Sequence, residues 1–367
     1  MAALPAPMHS TANLIYAAYV AGDSQAMKDF RKKYGVPEPD DGLRPHLGAS
    51  QIGKACDRQL WYTFRWAERK SFEGRMLRLF ETGHLEEPRL VANLRAIGVT
   101  VHDTDPSGAQ WRVETLGGHF GGSMDGALVG VPEAPKTWHV GEFKTASEKV
   151  FNEMKKKGVK LTKPEHYWQV TTYMGLTGME RALYIMKNKN TDELHVERVE
   201  FDADLFKKII DRATRIVNAE EPPARISDDP SWYECKFCDF QAQCHGTTAP
   251  LVNCRTCAHS TPEMGGNQLW TCADGNGAKH PIPLSTQKVG CSSHRYIPVL
   301  LGRLGQLVTG ENNEVAYRKK NGTVFVNGEA PGSYSSVEIR ACGSNTGALG
   351  DPAVDVMKSI FGAKVVA

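Results

Sequence analysis

Gly121-Gly-Ser-Met-Asp-Gly-Ala-Leu-Val129 and Val140-Gly-Glu-Phe-Lys-Thr145 are the stretches that decide the fold. The first leaves a Gly-rich turn and becomes apolar. The second follows Thr137-Trp-His and rises out of Pro132-Glu-Ala-Pro135. Both patterns predict strands. Side chains alternate faces along a strand, so Glu142 and Lys144 share one face while Phe143 turns into the core. Asp125, on the neighbouring strand, brings a second carboxylate beside Glu142. Two carboxylates and an ammonium around one point suit a hard divalent cation and a phosphodiester. The acids bind Mg²⁺ or Mn²⁺ through oxygen, and the lysine orients a water or steadies charge that develops at phosphorus. An aspartate in a Gly-rich turn is also an ordinary turn former, and Glu-x-Lys an ordinary solvated face. The surroundings of the trio therefore carry the weight.

With 367 residues the chain has room for an α/β domain plus appendages. No apolar run is long enough to span a bilayer. The start, Met1-Ala-Ala-Leu-Pro-Ala-Pro, lacks the basic and apolar pattern of a secretion signal. A cytoplasmic protein is expected, with no membrane partner. Net charge is +2, so any polyanion must be held by a local patch. Lys149, Lys155, Lys156, Lys157, Lys160 and Lys163 form such a patch directly after the central strand. It reads as a solvated helix or as a phosphate-contacting lip, with Lys155, Lys156, Lys157 and Lys160 as the nucleic-acid candidates.

Residues 1–47 read as an N-terminal helical arm, with one or two helices between about 10 and 35 and then an acidic, Pro-containing linker. Cys56 sits at a helix start ahead of Trp61-Tyr62. Apolar residues at helical spacing between Arg75 and Gly98 predict a helix around His84, Glu86 and Glu87. Val99 to His102 and Trp111 to Glu114 read as strands. His166 to Met174 reads as a helix that puts Gln169 and Tyr173 one turn apart on one face. Arg181 to Met186 and Leu194 to Phe201 form a hairpin, and Phe206 to Ala219 a helix ending before Pro222-Pro223. That order gives an α/β fold, a mixed central β-sheet flanked by helices.

Nine cysteines in a chain without an export signal favour metal over disulfides. In residues 248–300, Cys254-x-x-Cys257 is followed by Cys272 and Cys291. The pattern reads as a structural Zn²⁺ knuckle in a segment with little apolar core of its own. His259, His280 and His294 are alternative ligands. Cys342 reads as a free thiol. In residues 301–367, Val315 to Gly328 carries a β-hairpin signal around Asn321-Gly322, and Pro352 to Phe361 a short helix.

The order of elements and these residues resemble the PD-(D/E)XK nuclease superfamily, in particular its RecB-like exonuclease branch, over roughly residues 48–247. Asp125 and Glu142-x-Lys144 match that branch's acidic and lysine motif, with Met124 where the superfamily's name has Pro. Gln169 and Tyr173 match its trailing Gln-x-x-x-Tyr helix. His84 falls where the branch has a metal-holding histidine, with Glu86 or Glu87 as substitutes. The resemblance implies a nuclease core that cleaves DNA phosphodiesters from an end. Asp125, Glu142, the carbonyl of Phe143 and His84 would hold the metal, and Lys144, Gln169 and Tyr173 would serve the reaction. Cys56 with Cys235-x-x-Cys238 and Cys244 is similar to the four cysteines that hold a four-iron, four-sulfur cluster in AddB-type subunits and one CRISPR-associated family, and zinc is the alternative occupant. Such a cluster would close the domain like a staple. DNA and a recombination or annealing protein are the implied partners, in recombination, repair or phage DNA processing. An endonuclease of the same superfamily, or a module that binds DNA ends or a partner without turnover, are the other readings.

Overall fold

The computed structural model describes residues 10–22, 24–38, 41–274 and 278–366. The start of the arm and part of the acidic linker lie outside them. The chain divides into two compact units: Met1–Gly42, Lys70–Val113 and Gly121–Ile209 make one, and Leu43–Arg69, Glu114–Phe120 and Ile210–Ala367 the other. This division cuts across the segments expected from sequence. Asp125, Glu142 and Lys144 belong to the first unit, and all nine cysteines to the second.

The first unit is built on a five-stranded sheet: β1 (Thr100–His102), β2 (Gly126–Val129), β3 (His139–Ala146), β4 (Arg181–Asn188) and β5 (Leu194–Glu200), in that spatial order. Only β3 and β4 run parallel, so the sheet is mixed as expected. The parallel pair needs a long crossover. It is supplied by the helices Glu148–Thr162 and Pro164–Thr177, which pack on the sheet. The helix Gly74–Ala96 lies on the opposite face. Its Leu90, Val91 and Leu94 join Val99, Val101, Leu128, Val131, Phe143, Leu183 and Ile185 in one buried cluster. Phe143 thus points into the core, and Glu142 and Tyr184, neighbours in the β3–β4 register, point the other way.

The pairing of β3 is asymmetric. Against β4 it runs from Val140 to Ala146. Against β2 it stops at Gly141, opposite Gly126. From Glu142 onward β3 therefore has a neighbour on one side only, and the candidate residues sit where the other neighbour gives out.

The expected helix is present as Gly74–Ala96 and runs continuously through Pro88. The described part of the arm is a cap on this helix. The helix Thr11–Ala21 comes so close that a Cβ on Gly74 would lie 2.0 Å from the Tyr16 carbonyl oxygen. Tyr19 Oη donates to Glu81, and Arg31 Nε reaches the same carboxylate at 3.5 Å.

In the second unit the helix Asp57–Phe64 starts at Cys56. The short helices Tyr233–Lys236 and Gln241–Cys244 carry Cys235 and Cys244. Cys254 and Cys257 flank a single helical turn closed by an Asn253–Thr256 capping box. Arg255, between them, is buried and donates to Phe64 O, Pro45 O and Gln287 Oε1. Its guanidinium also lies 3.7 Å from the Trp66 ring centre. The knuckle is thereby fastened to the segment that begins at Cys56. Strands Ser260–Pro262, Trp270–Cys272 and His280–Pro281 form a small antiparallel sheet. The expected hairpin is present as Glu314–Arg318 and Val324–Asn327, and Gln306–Glu311 adds a third strand that the sequence did not announce. The helix Pro352–Phe361 follows as expected.

Close approach of backbones gives the first unit a packing test. A Cβ on Gly175, in the helix Pro164–Thr177, would lie 2.3 to 2.6 Å from three carbons of the Phe206 ring. Gly175→Ala is expected to destabilise the protein by about 1–3 kcal/mol, as overpacking does. In urea denaturation, Phe206→Leu should recover part of that loss, so the two changes would be non-additive.

Candidate active site

Asp125 is not on a strand. It occupies the bend just ahead of β2, so the expectation of a strand residue is corrected. The reason is a backbone hydrogen bond: Phe143 N donates to Asp125 Oδ2 at 2.7 Å. The carboxylate occupies the edge of β3 where β2 has ended and satisfies an amide that the ladder leaves over. This contact fixes Asp125 beside Glu142 and Lys144. Lys144 Nζ lies 4.0 Å from Asp125 Oδ2, is ion-paired to Glu142, and is 3.3 Å from the Phe143 carbonyl oxygen. Both carboxylates, the ammonium and that carbonyl therefore meet at one point.

The electrostatics of this point are those of a buried site with one open side. Glu142 is 0% exposed, whereas the Lys144 side chain is 27% exposed. Apart from the Lys144 ammonium, neither Glu142 oxygen has a partner among the described residues. Burial raises the Glu142 pKa; Lys144 opposes this, and Asp125 adds to it. Burial works to discharge Lys144, but Glu142 and Asp125 outweigh it and hold the ammonium charged well above its ordinary range. Glu87 is pushed up to about 7, first by burial and then by the Asp125 charge. Such shifts gather where charges have been brought together for chemistry.

The helix Gly74–Ala96 contributes unequally. Glu87 feels both Asp125 and Lys144, and Gln110 Nε2 holds its Oε1 at 2.8 Å. Glu86 is engaged elsewhere, with Lys187 at 2.8 Å and Arg89 at 3.4 Å. The His84 ring is exposed. Desolvation lowers its pKa, while the Asp125 and Glu81 charges work against that. Glu87 and His84 thus face the acidic pair, and Glu86 does not.

Gln169 and Tyr173 come together as spaced, Gln169 Nε2 lying 3.1 Å from Tyr173 Oη. Both are buried, and Tyr173 senses the charges of Glu142, Lys144 and Asp125. Gly122 makes room for it: a Cβ there would fall 2.6 Å from Tyr173 Oη. Sequence reasoning missed Tyr184 and His166. Tyr184 is level with Glu142 on the adjacent strand, and its hydroxyl meets His166 Nδ1 at 2.7 Å. The only signal for them was their place on the strand and helix that flank the trio.

The lysine lip is largely occupied. Lys155 pairs with Glu193 at 2.5 Å, Lys157 with Glu153 at 2.8 Å, and Lys160 with Asp202 at 3.5 Å. Lys156 is exposed. Exposed pairs of this kind are weak, so a polyanion can compete for the cations.

All nine cysteines are free. Cys56, Cys235, Cys238 and Cys244 line one cavity together with Arg58, Tyr62 and Arg225. Burial raises the Cys235 thiol and pushes Cys238 up to about 11, and each also feels Cys56 and Cys244. The thiols of the second set lie within electrostatic reach of one another. Burial pushes Cys254 up to about 12, with Cys257, Cys291 and Cys272 adding to the shift. His294 is in the core, Nε2 3.2 Å from Thr256 Oγ1, and His259 bonds Asn313 Oδ1 at 2.8 Å. His280 stands near one of these thiols: ligand atoms of Cys272, Asp274 and His280 lie within 4.8 Å of one another.

No protein-family model and no curated protein matches the chain. Among solved structures, an alkaline exonuclease from Laribacter hongkongensis aligns at 19% identity over 47% of this chain and 86% of its own, with a TM-score of 0.36. A phage-related exonuclease from Haemophilus somnus 129PT aligns at 16% identity over 36% of this chain and 65% of its own, with a TM-score of 0.26. The reading of the site rests on its own geometry.

A carboxyl with a raised pKa keeps its proton in the folded protein where the unfolded chain has lost it. Its stabilising contribution is complete below the ordinary value of 4.5 and is lost as pH rises through about 7 for Glu87. In the absence of divalent ions, the melting temperature should therefore fall across that window. Glu87→Gln should flatten the slope, as read by calorimetry at a series of pH values.

Proposed function

We propose that this protein is a divalent-cation-dependent nuclease that hydrolyses DNA phosphodiesters from an end. The observation that carries the reading is the convergence of Asp125, Glu142 and Lys144 beside the open edge of β3. The donors fit a hard cation. Two carboxylates and a backbone carbonyl supply oxygen, Glu87 and His84 stand near, and among the described residues the buried Glu142 oxygens have no partner but Lys144. Asp125, Glu142 and the Phe143 carbonyl would hold Mg²⁺ or Mn²⁺, with His84 or Glu87 completing the set. When bound, the cation supplies Lewis-acid polarisation of the phosphate and lowers the pKa of water.

The chain's own residues do the rest. The Lys144 ammonium stays protonated between two carboxylates and presents positive charge to the phosphodiester, where negative charge grows during displacement. The Gln169–Tyr173 pair keeps its helix seated against the acidic face, and Phe143 anchors the strand from the core side. Lys156 and its paired neighbours offer a weak phosphate-binding rim. End-dependence, and a role in recombination, repair or phage DNA processing alongside a protein partner, are supported by the likeness of Asp125, Glu142-x-Lys144 and Gln169-x-x-x-Tyr173 to the RecB-like branch of PD-(D/E)XK nucleases.

The same likeness supports an iron–sulfur cluster at Cys56, Cys235, Cys238 and Cys244. The shared cavity and its guanidinium lining fit a negatively charged tetrathiolate group. Zn²⁺ would be held by Cys254, Cys257, Cys272 and Cys291, whose thiols lie within electrostatic reach of one another. Among the described residues no helix is long and apolar enough to cross a membrane.

Incubation with a linear duplex labelled at either end, with Mg²⁺ or Mn²⁺, should release labelled nucleotides, while closed circular DNA should persist. Asp125→Ala and Lys144→Met should each lower the rate on the order of a hundredfold or more. Cutting of circles at the same rate would instead establish an endonuclease, and no cleavage with intact DNA-end binding a non-catalytic module.

A further inference from the structure

The cavity shared by Cys56, Cys235, Cys238 and Cys244 has one more polar side chain on its wall. His245, directly after Cys244, lines it too. Both of its ring nitrogens are buried, and neither has a hydrogen-bond partner among the described residues. Other buried histidines differ. His119 bonds through Nε2 to Glu263 O, His139 through Nδ1 to Thr137 O, and His294 through Nε2 to Thr256 Oγ1. One bond suffices for a neutral imidazole's N–H. His245 has none, although every imidazole carries at least one donor, and a buried donor without an acceptor bears its full desolvation cost.

The chain holds the ring in this position. Arg303 Nη2 donates to the His245 carbonyl at 2.5 Å. Arg225 Nε and Nη2 donate to the Cys244 carbonyl at 3.1 and 2.8 Å. Arg58 brings Nη1 to 4.0 Å from Cys244 Sγ while its Nε bonds Pro223 O at 2.6 Å. Guanidinium groups fixed around a thiol cavity suit an occupant with net negative charge.

We propose that His245 donates its ring N–H to a metal-bound thiolate of this cavity, as a positioning residue of the sulfur–metal centre and not as a ligand. The inference rests on the reading of the four cysteines as an iron–sulfur site. Four thiolates complete the coordination of such a cluster, which leaves the imidazole no iron to bind. Ligating sulfur is an acceptor, and hydrogen bonds to it set reduction potential and retention. A donor draws charge from the sulfur and favours the reduced, more negative state.

The test uses the full chain purified anaerobically, as wild type, His245→Leu and His245→Gln, the last keeping an N–H. Iron and sulfide content, midpoint potential by spectroelectrochemical titration, and the rate of visible bleaching in air are measured, with circular dichroism to confirm folding. Equal iron content is expected throughout. The potential should be more negative and bleaching several-fold faster in His245→Leu, with His245→Gln between it and wild type. If His245→Leu does not fold, the same direction of change in His245→Gln carries the comparison. Unchanged potential and bleaching overturn the proposal, as does iron loss that identifies the imidazole as a ligand. A wild-type protein without iron overturns the reading of the four cysteines, and this proposal with it.

Discussion

The hydrogen bond from the Phe143 amide to Asp125 Oδ2 organises the first unit's site. A sheet strand flanked on both sides spends all its amides on neighbours. Here β2 begins at Gly126, opposite Gly141, and β3 continues past it. The residue just before β2 takes the place that a further strand residue would have held. It does so with a side-chain carboxylate, whose second oxygen remains for other work. A gap in pairing thus becomes a pair of acids at a fixed separation, on a scaffold held from the other face by Phe143 and the helix Gly74–Ala96.

This arrangement is expensive for folding alone. Glu142 is buried, Asp125 and Glu87 stand close, and one ammonium answers all three. Replacing buried charges by apolar groups of similar volume is often neutral or stabilising, so the trio is poorly explained as a stability device. A cation would relieve the excess negative charge and engage the Glu142 oxygens, which among the described residues meet only the Lys144 ammonium. Lys144 responds in the same direction: its neighbours keep it charged despite burial.

The sequence made legible whatever follows from period and spacing. Glu142 and Lys144 on one face, Phe143 on the other, the Gln169–Tyr173 turn and the helix Pro352–Phe361 are local regularities, and all stand as expected. The misreadings concern what only assembly decides. Asp125 looked like a strand residue because Gly126 to Val129 is one, and its role depends on an amide in β3. Glu86 and Glu87 are adjacent and chemically alike, yet Lys187 claims the first from a distant strand. His166 and Tyr184 meet only because a crossover returns the chain beside β3. The division into units was hidden for the same reason: segments that enclose the central strands in sequence fold with the cysteine-rich part.

Burial of a polar group does not by itself mark a site, and the second unit shows the difference. Arg255 is buried between two cysteines, with its pKa lowered by desolvation and by Arg65. Its donors nevertheless end on Phe64 O, Pro45 O and Gln287 Oε1, and its plane lies against Trp66, Trp270 and Phe64. That guanidinium is a structural peg. His245 is smaller and less charged but has both nitrogens buried and unbonded on the wall of a thiol cavity. Glu142 is in the same position apart from its lysine. Glu142 and His245 each bury hydrogen-bonding capacity that the described residues leave unused. The two lie in different units, Glu142 among acids and an ammonium and His245 among thiols.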